Sequence, residues 1–79
     1  MKITKGEYCQ FSLGGRLDLL KEFGELLGEV VLDQLFVQVY RIHDFYVEVR
    51  FDHPTGKLLY AEPLKNLLML LYALRSDPV

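Results

Sequence analysis

His43-Asp-Phe-Tyr-Val-Glu-Val-Arg-Phe-Asp-His53, written HDFYVEVRFDH, is the stretch on which the fold turns, because it holds both histidines of the chain and alternates about Glu48. Read as a site, it offers two imidazoles and three acids. Read as a strand, it has a polar turn at each end. Distance decides between the two: a strand rises about 3.3 Å per residue, so histidines ten residues apart stand roughly 30 Å from each other. One metal ion cannot bridge them within a subunit, and the stretch is expected to be a strand, Phe45–Asp52.

On either side lie two further β-branched and aromatic runs, Leu35–Ile42 and Lys57–Glu62, joined to the first by short turns. Short connections between strands imply an antiparallel meander of three strands. The turn His53-Pro54-Thr55-Gly56 is legible, with Pro54 where φ near −65° is wanted and Gly56 where a positive φ is wanted. The turn around His43-Asp44 has no glycine, so its length fixes the register. A three- or five-residue loop sets Val39 opposite Val49 and Val37 opposite Phe51, giving one apolar face of Leu35, Val37, Val39, Val47, Val49 and Phe51. A two- or four-residue loop mixes Val37 with Arg50. The first register is expected, since it segregates the apolar residues. It places Phe36, Gln38, Tyr40, Tyr46, Glu48 and Arg50 together on the other face, with Tyr60 beside them.

Upstream, Leu17, Leu20, Phe23, Leu27 and Val30/Val31 recur at steps of three and four, the pattern of an amphipathic helix beginning near Gly15 or Arg16. Gly24 sits inside that pattern at a cost of up to ~1 kcal/mol against alanine, and Gly28 suits a stop. Residues 7–13 alternate loosely and suggest a short N-terminal strand. Downstream, Glu62-Pro63 opens an expected C-terminal helix running to about Arg75. Leu64, Leu67, Leu68, Leu71 and Leu74 make one stripe, while Met69, Leu70 and Ala73 fall outside it. A helix apolar nearly all round needs cover on more than one side. Met69, Leu70 and Ala73 are therefore the expected dimer contact.

The totals fit a folded domain spanning residues 1–79: hydrophobic residues make up 51% and charged residues 25%. At this length only about 60–65% of the unfolded chain's surface is buried on folding, and the single cysteine, Cys9, rules out an intrachain disulfide. Self-association is the remaining reinforcement. Cys9 reads as a half-buried small hydrophobe. The net charge is −2 with Lys and Arg scattered singly, so the electrostatic footprint of a nucleic-acid binder is missing. The N-terminus lacks a signal-type apolar region and no apolar run approaches the ~20 residues of a membrane helix; a soluble, cytoplasmic protein is expected.

The fold class expected is thus α+β, a small two-layer domain of N-terminal amphipathic helix, three-stranded antiparallel meander and C-terminal helix. No catalytic residue, cofactor site or metal site is expected, and no glycine-rich phosphate loop is present. The function expected is a non-enzymatic protein-interaction module, a homodimer that binds another protein. The alternative is a binder of small ligands or single-stranded nucleic acid, using Phe36, Tyr40, Tyr46, Glu48 and Arg50 as its platform.

Overall fold

The computed structural model of the chain describes residues 2–65, and the expected C-terminal helix, with its dimer contact Met69, Leu70 and Ala73, lies outside them. The described elements run α1 (Lys5–Cys9), α2 (Leu13–Phe23), β1 (Glu25–Leu32), β2 (Leu35–Ile42), β3 (Phe45–Asp52) and β4 (Leu58–Pro63). The four strands form one antiparallel sheet in the order β1-β2-β3-β4. The α+β class and the meander stand. The expected three strands become four.

The fourth strand comes from the second half of the expected helix. Gly24 ends α2 in an extended conformation, φ −89° and ψ 163°, with its N–H donating to Leu20 O at 2.8 Å. A Cβ at Gly24 would lie 2.5 Å from that carbonyl oxygen, so the chain turns there only because the residue is glycine. Beyond it, Gly28 and the β-branched Val30 and Val31 are poor helix formers and pair instead with β2, Val30 opposite Val37 and Val31 opposite Phe36. Leu27 is the extra residue of a bulge between Leu26 and Gly28. Apolar spacing of three and four persists across the break by coincidence with strand alternation.

The N-terminus is also helical where a strand was expected. Thr4 caps α1 by accepting from Glu7 N at 3.1 Å, and the Glu7 carboxylate accepts from Thr4 N at 2.9 Å, a reciprocal capping box. Ser12, rather than Gly15, caps α2 by accepting from Gly15 N at 3.2 Å. Cys9 is exposed, not half-buried. Pro63 closes β4 instead of opening a helix, and the next amide, Leu64 N–H, donates to Tyr46 O at 2.9 Å.

The register of β2 and β3 is the one set by a two-residue turn: Ile42 faces Phe45, Tyr40 faces Val47, Val39 faces Glu48 and Val37 faces Arg50. His43 makes this possible by adopting φ 57°, and Asp33 does the same at φ 56° in the β1–β2 turn. The expected register fails because β2 is apolar on both faces, so the buried pattern alone did not choose between alignments. The turn from Asp52 to Lys57 is as expected, with Gly56 at φ 75°.

One face of the sheet thereby gathers Ile42, Phe45, Val47, Val49 and Ala61, all buried, against Ile3, Tyr8 of α1 and Leu20 of α2. Leu13, Leu17, Tyr40, Phe51 and Leu58 pack around that core. No helix among the described residues is long and apolar enough to cross a membrane.

Candidate functional site

The register divides the residues expected to form one platform. Phe36 and Tyr40 lie on the helix-bearing face, while Tyr46, Glu48 and Arg50 lie on the opposite one. Each group has its own chemistry.

On the opposite face Glu48 is 4% exposed and accepts from Arg50 Nε at 2.6 Å. The Arg50 guanidinium also lies 4.3 Å from the centre of the Tyr60 ring, in cation–π contact across the β3–β4 pair. The hydrogen bond to Glu48 pushes the Arg50 pKa up, holding its charge more firmly. Val37 and Val39, 4% and 1% exposed, complete this buried patch. The arrangement is that of a buried carboxylate paired with a guanidinium that is 36% exposed.

On the helix-bearing face, α2 packs chiefly against β4 and reaches β2, leaving the β1 side open. Between α2 and the sheet lies a cavity of about 330 Å³ lined by Leu17, Lys21, Phe36, Gln38, Tyr40, Phe51, Asp52, His53 and Gly56. The rings of Phe36 and Phe51 form its wall, 6.1 Å apart and tilted by 36°. Its polar groups are partly engaged: Tyr40 O–H donates to Gln38 Oε1 at 3.0 Å, and Gln38 Nε2 donates to Glu29 Oε2 at 3.1 Å. Burial, aided by the Glu29 charge, pushes the Tyr40 phenol up, so it remains a neutral donor. Asp52 accepts from Thr55 N–H at 3.3 Å and from Thr55 O–H at 2.5 Å.

Along the open side, Phe23, Leu26 and Val31 are 42%, 46% and 50% exposed. Leu26 pairs with Tyr40 and Val31 with Phe36, two residues of the cavity wall, and the hydrogen-bonded Glu29–Gln38 pair lies between them. Sequence reasoning missed the strip because it assigned Leu26–Val31 to a helix. The signal was present in Gly24, Gly28 and the polar Asp33-Gln34 pair before β2.

His43 and His53 flank opposite ends of β3, as their spacing required. His43 is half-buried rather than a solvated turn residue; its ring lies 6.2 Å from Phe23, and its Nε2 has no hydrogen-bond partner among the described residues. Among those residues no group of three or more His, Cys, Asp or Glu is placed to hold a metal ion. The chain matches no protein-family model, no curated protein and no solved structure.

Proposed function

We propose that the chain is a non-enzymatic interaction module that forms a homodimer, and engages another protein, through the open half of its helix-bearing sheet face. The observation that carries this reading is the exposure of Phe23, Leu26 and Val31, three large apolar side chains each more than two-fifths exposed, of which Leu26 and Val31 lie on the edge strand beside Tyr40 and Phe36. Large apolar side chains exposed together on one edge strand mark interaction sites more often than residues scattered singly do. β1 is also an edge strand, with no strand on its outer side among the described residues. An unprotected edge favours pairing with another chain, and a two-fold axis beside β1 would bring two copies of the strip together.

Three side chains fall short of the ~800 Å² per partner of a standard interface. Association in the micromolar range is therefore expected from this strip alone. Light scattering over a concentration series tests it: the wild-type chain dimerises with rising concentration, and Val31→Lys remains a monomer. A wild-type chain that stays monomeric throughout, or a Val31→Lys chain that associates equally well, removes the reading.

A further inference from the structure

We propose that the cavity between α2 and the sheet binds small organic anions with a flat apolar body, aromatic carboxylates being the chemical class. Its volume, about 330 Å³, falls at the lower end of the range of small-molecule sites. Leu17, Phe36 and Phe51 supply the apolar wall, and the two tilted phenylalanine rings offer faces and edges for a planar guest.

The sign of the ligand follows from which polar groups remain unspent. Tyr40 and Gln38 bond to each other and onward to Glu29, and the Asp52 carboxylate, which keeps its charge, accepts from the Thr55 N–H and O–H of its own turn, so that an anion is favoured only at the Lys21 end of the cavity. Lys21 lines the same cavity and has no ion pair among the described residues. It lies in the last turn of α2, where the negative end of the helix favours a cation. His53, also on the rim, adds an imidazole with no side-chain hydrogen bond among the described residues. The unspent groups are thus an ammonium and an imidazole beside an aromatic wall. A carboxylate head on Lys21 with its ring against Phe36 and Phe51 satisfies both.

The inference does not depend on self-association. It is tested by following the amide resonances of the full chain during titration with 2-naphthoate and, separately, with the neutral 2-naphthylmethanol. Both saturate, with shifts clustered at Leu17, Phe36, Phe51 and Gly56, and naphthoate binds up to about fivefold tighter, the scale of an exposed ion pair. Lys21→Met, an exposed change that spares the core, abolishes that preference and retains binding of the alcohol. Absence of saturable shifts with either probe, shifts elsewhere on the surface, or a preference that survives Lys21→Met would each overturn the proposal.

Discussion

The two edges of the sheet are built in opposite ways. At β4 the helices are fastened by polar bonds that reach across the sequence. Arg16 Nη1 donates to Glu62 Oε2 at 2.6 Å and Ala61 O at 3.4 Å, its Nη2 donates to Cys9 O at 2.7 Å, and its Nε donates to Phe11 O at 3.0 Å. Tyr8 O–H donates to the same Ala61 carbonyl at 3.1 Å, and the Arg16 guanidinium lies 5.6 Å from the Tyr8 ring. At β1 Leu26 and Val31 are about half exposed, and the ion pair Arg41–Glu25 at 2.6 Å has both side chains more than half exposed. The lesson is a division of labour. Among the described residues one edge holds the helices, and the other carries exposed apolar side chains.

The largest expected effect is at the fastened edge. The Arg16 side chain is only 14% exposed, and its planar fork serves four acceptors on three different segments. Arg16→Ala is expected to destabilise the fold by about 2 kcal/mol, since the two part-buried bonds to β4 lose a charged donor worth about 1.5–3 kcal/mol per bond while water replaces much of the two exposed ones. Arg16→Lys should restore little, because an ammonium cannot reach the four acceptors together. Urea unfolding followed by circular dichroism measures both; a loss below about 1 kcal/mol for Arg16→Ala would mean the edge is not fastened there.

Tyr8 gives a smaller and pH-dependent version of the same test. Burial is the main reason its phenol pKa is raised, the Arg16 charge opposing the shift. A raised value means that the unfolded chain loses the proton first. The stability from neutral, buried Tyr8 is complete below about pH 10 and is lost as pH climbs toward the folded-state pKa. Tyr8→Phe should cost about 1 kcal/mol at neutral pH through the lost bond to Ala61, yet flatten the alkaline decline. A wild-type stability that is level from pH 9 to 11 would contradict this.

The two edges also differ in how far sequence reveals them. The strands β2, β3 and β4 and the Gly56 turn follow from alternation and turn chemistry. The fastened edge was not legible, because Arg16 bonds to partners up to 46 residues away and no local pattern encodes that. The open edge was concealed for a different reason. Leu17, Leu20, Phe23 and Leu27 keep a helical step across Gly24 that outweighs the contrary signal of Gly24 and Gly28, and the close approach to Leu20 O shows that the first glycine is the boundary. The candidate platform was half legible: its residues were identified, but one residue of turn length moved Phe36 and Tyr40 to the face opposite Tyr46, Glu48 and Arg50. Alternation makes every face assignment hostage to such a slip.

The turns that set this register supply a third test. Asp33 and His43 hold positive φ without being glycine, a conformation that costs an L-residue on the order of 1 kcal/mol. Asp33→Gly removes that cost, while glycine's greater freedom in the unfolded chain offsets part of the gain. A net stabilisation of roughly 0.5 kcal/mol is expected in urea unfolding. Destabilisation would indicate that the Asp33 side chain holds the turn.

The smallest effect on stability, and the one that separates the edges most cleanly, is expected for matched lysine substitutions. Val31 on β1 and Leu59 on β4 are almost equally exposed, 50% and 47%. Neither belongs to the buried core, so Val31→Lys and Leu59→Lys should each change unfolding stability by no more than about 0.5 kcal/mol, as surface changes usually do. Their effects on association should differ, because Val31 adjoins Phe36 and the cavity whereas Leu59 is the extra residue of a bulge on the fastened edge. Exposure is the same in both, so any difference in light scattering reports on position and not on lost hydrophobicity. Equal loss of association in the two variants would assign the contact to general surface apolarity and erase the distinction between the edges.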